Sequence, residues 1–203
     1  WQHRPERVEA GFRKGPGRYG PFKEVFQRDF LLVAGTRGSP EETEWARQKA
    51  RYDAETFWYR GNGSVEILAD TEYDATRLKQ RNVILYGNAS TNAAWDLLLG
   101  KGPVQVEPGL IRIGTRRVKG EDLACLFVRP HDNDPETLVG AVSGTGLGGM
   151  RLTDRLPYFV SGIHYPDVFV AGPDMLEKGS RGVRVAGFFG LDWSVENGDF
   201  AWR

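Results

Sequence analysis

Short apolar runs alternate with polar, turn-rich segments along this chain. Phe30–Ala34 is apolar at every position, the pattern of a strand buried on both faces. The turn Gly35-Thr36-Arg37-Gly38-Ser39-Pro40 follows, and then a pattern that predicts a helix to about residue 59. Trp45, Lys49, Tyr52, Thr56 and Tyr59 share one side of it, with Ala46, Ala50 and Phe57 beside them. Ser39 as N-cap, Pro40 at the first helical position and Glu42 three residues after the cap make a capping-box arrangement. Gly61-Asn62-Gly63 stops the helix through a left-handed position. Strands are expected at residues 65–69 and 82–86, with a short helical or turn segment over 70–79 between them. The next helix ends near Gly100 and turns Trp95, Leu98 and Leu99 toward a sheet.

Residues 104–106 and 110–113 read as short antiparallel strands around Pro108-Gly109. Further strands are expected at residues 123–128, 138–143, 167–171 and 183–189, with a helix-like segment over 150–156. The final stretch, with Trp193, Phe200 and Trp202, is expected to pack back on the domain. Strands alternating with helices first, and hairpins in the middle, predict a three-layer α/β fold. Its sheet is expected to be mostly parallel and open, of the Rossmann or flavodoxin kind, with an antiparallel hairpin extension. Residues 1–28 hold Arg4, Arg7, Arg13, Lys14, Arg18, Lys23 and Arg28, broken by Gly15-Pro16-Gly17 and Gly20-Pro21. They read as a linker or N-terminal arm on the surface, and residues 29–203 as a single α/β domain.

Composition narrows the function classes without naming one. A chain of 203 residues fits one domain with one core. Basic and acidic residues balance at 27 each, which disfavours a general nucleic-acid binder. The 26 glycines and 11 prolines imply many tight turns. The single cysteine, Cys125, rules out an internal disulfide framework and reads as a buried, inert thiol. His3, His131 and His164 lie far apart, without zinc-site spacing, so no metal or cofactor is expected. No run reaches 18 apolar residues, so no membrane-spanning helix is expected.

One local grammar occurs three times: an apolar strand, a glycine with small polar residues, then a helix. The copies contain Gly35, Thr36, Arg37 and Ser39; then Gly87, Asn88, Ser90 and Thr91; then Ser143, Gly144, Thr145 and Gly146. If the three strands are parallel, all three loops share the carboxyl edge of the sheet, where open α/β folds bind ligands. Backbone amides there can cradle a small anion, and Arg37 adds charge. Plain strand-to-helix turn chemistry explains the same residues.

Gly144, Gly146 and Gly149 also match a dinucleotide-type glycine pattern. The acid that would bind the ribose, Asp174, comes 30 residues after Gly144, a loose fit to the usual ~20. There is no phosphate-binding Gly-Lys-Ser/Thr and no Gly-x-Ser-x-Gly. A triad would have to assemble in space from Ser143, His164 and Asp167 or Asp192. Asp70, Glu72 and Asp74 are one acidic cluster and Asp132 with Asp134 another, read as capping and loop residues before a cation site. Trp58 and Tyr59, with Trp193 or Trp202, offer a saccharide-stacking platform as a further possibility.

From Gly20 onward the chain resembles the accessory region that follows the core of large bacterial prolyl-oligopeptidase-like or esterase-like α/β-hydrolase proteins. The marks are Gly20-Pro21-Phe22-Lys23, Phe30 to Thr36, Arg81 to Asn88 with Thr91-Asn92, and Pro166-Asp167-Val168-Phe169-Val170. The resemblance covers about residues 20–190. It implies a companion domain in a secreted or periplasmic multidomain hydrolase, with the hydrolase domain preceding it in the same parent chain. It transfers no catalytic residue, because no nucleophile elbow is present.

Overall fold

The computed structural model describes residues 13–15, 18–76, 80–131 and 134–203. Expectations for residues 1–12 and for Asp132 lie outside the described residues. The chain folds as a mixed α/β structure, a sheet of largely co-directional strands flanked by helices. In chain order the elements are β1 (Phe30–Ala34), α1 (Pro40–Gly61), β2 (Glu66–Ala69), β3 (Asn82–Tyr86) and α2 (Trp95–Leu99). Then come β4 (Val104–Glu107), β5 (Leu110–Ile113), β6 (Arg116–Lys119), β7 (Ala124–His131), β8 (Asp134–Gly144) and α3 (Leu147–Leu152). The remainder is β9 (Val168–Ala171), α4 (Met175–Lys178), β10 (Val183–Phe188) and β11 (Asp199–Trp202).

The main sheet has eight strands in the order β11-β10-β9-β7-β8-β3-β1-β2. β2, β1, β3 and β8 are parallel neighbours. From β8 outward every pairing is antiparallel. Only β7 and β10 therefore run against the common direction. The expected antiparallel extension is larger than a hairpin: it takes half the sheet. Its added strand, β11, alternates exposed and half-buried residues, the signature of an edge. The 104–113 hairpin gains β6 and forms a separate three-stranded sheet, β4-β5-β6.

Side-chain alternation sorts the two faces. Tyr86 on β3 reaches Asp53 of α1, so α1 covers that face, and α3 packs beside it. On the opposite face Trp95 of α2 meets Phe127 of β7 edge-on at 5.9 Å. The small sheet lies there too, through contacts of β4 with β8. Ser39 closes the expected capping box with Glu42, and Asn62 ends α1 at φ 52°. Cys125 is fully buried, and burial pushes its thiol far above the usual range.

The surface-arm expectation fails at residues 22–26. They form a 3-10 turn whose Phe22 and Val25 are fully buried. Gly140 leaves room on β8 for Val25, whose methyls would lie 3.1 Å from a Cβ there. Phe22 and Phe26 pack on Tyr158 at 5.5 and 5.7 Å. A charge-rich flank hid two apolar anchors. Phe22→Ala is expected to lower stability by about 3–5 kcal/mol, because it empties a closed site. Urea unfolding measures it; a loss below about 1 kcal/mol would return this turn to the status of an arm.

Candidate functional site

The three glycine loops do adjoin. Ala34 stands beside Tyr86, and Tyr86 beside Val142, so the chain leaves β1, β3 and β8 at one rim. The crevice between β1 and β3 is where the connections diverge. α1 carries the chain from β1 to β2 on one side, and β3 returns on the other. Open α/β sheets hold ligands at such a crevice.

Here the rim is occupied by the protein's own groups. Asp70 is buried at the crevice and accepts from Thr36 N at 3.0 Å, Thr36 Oγ1 at 2.6 Å and Ala93 N. It does not cap a helix, as the sequence suggested; its carboxylate fills the place an outside anion would take. Gly35 N donates to Tyr86 O and Arg37 N to Thr91 O. A Cβ on Gly35 would sit 2.6 Å from Thr91 O, so this close approach requires glycine. Gly87 N donates to Val142 O, and Asn88 Nδ2 to Gly144 O. Thr91 Oγ1 accepts from Asn88 N, while Asn88 Oδ1 accepts from Ser90 N. Thr145 exchanges bonds with Leu123 through its N–H and Oγ1. Ser39 serves the cap of α1, and Arg37 is exposed.

The other sequence candidates separate. Gly146 caps α3, a helix of six residues, and a Cβ on Gly149 would strike Leu123 O at 2.2 Å. These glycines let α3 press on the chain entering β7. Asp174 pairs with Arg184 at 2.6 Å. Ser143 is fully buried opposite Cys125, and its Oγ has no hydrogen-bond partner among the described residues. His164 lies on the surface beside Tyr165 and Ala186. Asp167 is buried, ion-paired with Lys14, and accepts from Phe189 N. Asp192 is exposed and held below the usual carboxylate range by Ser194 and Asn197. No triad forms from these positions. Asp70, Glu72 and Asp74 also diverge, and no group of three metal-binding side chains occurs among the described residues. Trp58 and Tyr59 sit on α1, over the β2 side of the sheet, whereas Trp202 is on β11 at the far edge and Trp193 is buried. They share no platform.

A different concavity opens where the rim ends. The loops after β1 and β8 lead into α1 and α3, and a groove of about 1050 Å³ runs between these helices. One wall is Glu41, Glu44, Trp45, Gln48 and Tyr52; the other is Arg151, Asp154 and Arg155, with Pro173 and Leu176 at one end. Lys49 lies in its floor, 2.8 Å from Asp53, with its ammonium 4.8 Å from the Tyr158 ring. Asp53 also accepts from the hydroxyls of Tyr86, at 2.9 Å, and Tyr158. Burial raises Asp53, with Lys49 and both tyrosines opposing it. Burial pushes Tyr86 and Tyr158 well above the usual phenol range, helped by the Asp53 charge. Partial burial likewise raises Asp154 at the groove edge. Sequence reading noted Trp45, Lys49 and Tyr52 on one side of α1. It missed the second wall because Arg151 and Arg155 lie about a hundred residues away.

No protein-family model matches the chain, and no curated protein matches it.

Two outcomes test this geometry. Asp70→Ala strands two loop amides and is expected to cost about 2–3 kcal/mol in urea unfolding; a neutral result would show the rim does not rest on it. Asp53 has a raised folded pKa, so its stabilising share is complete below the unfolded value near 3.8. That share is lost as pH rises through the folded value. The stability difference, native protein minus Asp53→Asn, is therefore expected to shrink as pH climbs from 4. A difference that grows with pH would refute the assignment.

Proposed function

We propose that this chain is a non-catalytic accessory domain of a multidomain bacterial hydrolase, shaping or supporting a neighbouring active site. The observation that carries the reading is the self-occupied rim. At the carboxyl ends of β1, β3 and β8, the amides that would greet a substrate or nucleotide are bonded to Asp70, Thr91 and neighbouring carbonyls. The only serine in the three loops that a triad was built around, Ser143, is sealed in the sheet. The resemblance in the Gly20–Thr36 and Arg81–Asn92 segments adds the hydrolase link, a hydrolase domain ahead of this one in the parent chain, and a secreted or periplasmic setting.

On the same footing, the parallel unit β2-β1-β3-β8 is read as a flavodoxin-type half-sheet. Its strand order is that fold's 2-1-3-4. In this reading the fold has kept its scaffold and filled its switch-point crevice with an internal carboxylate.

The purified chain is expected to turn over neither p-nitrophenyl butyrate nor a chromogenic dipeptide above buffer. Turnover that disappears in Ser143→Ala would replace this reading with a hydrolase. The parent gene, read upstream of the codon for Trp1, is expected to encode a hydrolase domain; its absence there would sink the accessory role.

A further inference from the structure

We propose that the groove between α1 and α3 is a binding site for a neutral oligosaccharide. The inference rests on the groove alone and stands or falls apart from the hydrolase link.

The lining offers hydrogen-bonding groups of both kinds in balance. Glu41 and Asp154 supply acceptors and Arg151 and Arg155 donors, while Gln48 and Glu44 are bonded to each other at 2.6 Å. Arg151 and Arg155, one helical turn apart, form no ion pair among the described residues. Trp45 is buried, and its indole N–H has no hydrogen-bond partner of normal geometry. It is turned toward Asp154, whose charge it favours.

The apolar surfaces are arranged differently. Tyr52 is 62% exposed. Lys49 sits 5.4 Å from its ring centroid, and Leu176 and Pro173 lie across the groove. An aromatic face flanked by donors and acceptors matches a pyranose ring, which presents C–H faces above and below and hydroxyls around its rim. From Pro40 to Tyr52 the α1 wall is about 18 Å long, enough for several sugar units.

Other ligand classes fit less well. A phosphate or polyanion would meet Glu41 and Asp154 beside the arginines. A peptide that binds by adding a strand needs a free strand edge, and both walls are helical. A docked helix needs a continuous apolar stripe, whereas here charged residues interrupt the lining throughout.

The test uses the whole chain and four probes: cellohexaose, xylohexaose, maltohexaose and chitohexaose. Titration calorimetry is paired with tryptophan fluorescence, because Trp45 lies in the wall. At least one probe is expected to bind with a dissociation constant below about 1 mM. Tyr52→Ala and Arg155→Ala, both at exposed positions, are each expected to weaken that binding about tenfold or more. Trp58→Ala, an exposed aromatic outside the groove, is expected to leave it unchanged. Failure of all four probes to bind at 1 mM overturns the proposal. So does binding that survives both groove substitutions, or binding lost through Trp58→Ala.

Discussion

Asp53 is the carboxylate on which the arrangement of the α1 face turns. Its three donors come from three places: Lys49 within α1, Tyr86 at the end of β3, and Tyr158 after α3. A carboxylate this deep is tolerated because both of its oxygens have donors, Lys49 on one and the two tyrosines on the other. The junction acts beside a thin apolar contact, in which Phe57 meets Phe30 edge-on at 4.8 Å. Along its 22 residues the buried apolar positions are Trp45, Ala46 and Ala50, and two of these are alanines. A helix so poor in large apolar side chains takes its setting on the sheet from the polar junction as much as from packing. That setting fixes one wall of the groove, and Lys49, held by Asp53, fixes the floor.

Asp70 repeats the device at the strand-end rim. There a carboxylate gathers amides from the loops after β1 and β3, and the crevice closes on itself. The two sites thus divide the surface. The strand-end rim is satisfied internally. The groove next to it keeps exposed arginines and an exposed tyrosine ring. These groove side chains are solvated and can exchange water for an outside molecule, whereas the rim's amides are already bonded.

The parts legible in sequence were those specified locally. Uniform apolar runs marked β1 and β3, and Ser39-Pro40 with Glu42 marked the start of α1. Long-range chemistry left no such trace. Asp70 looks like a helix cap because its true partners, Thr36 and Ala93, are distant in sequence. Phe22 and Val25 were masked by the basic, Gly-Pro-broken flank around them. β11 was missed because Asp-Phe-Ala-Trp alternates at an edge strand that only pairing with β10 reveals. The groove was half visible, since one wall is a helix face and the other belongs to a separate helix. The three glycine loops were placed together correctly from the expectation of parallel strands, but sequence could not show that their amides were already taken.

The sheet also records how the chain is divided. β1, β2 and β3 come from the first half of the sequence, and β7, β9, β10 and β11 from the second. β8 belongs to the second half yet completes the parallel unit, lying against β3 through Val83–Val139, Ile84–Gly140, Leu85–Ala141 and Tyr86–Val142. It is in effect a strand lent across the boundary. A chain nicked at the Pro108-Gly109 turn would yield two fragments with matching apolar edges, β3 on one and β8 on the other. Neither edge has the charges or bulges that keep a bare strand from pairing, so such fragments would be driven to reassemble through this ladder, with β4 and β5 re-pairing beside it.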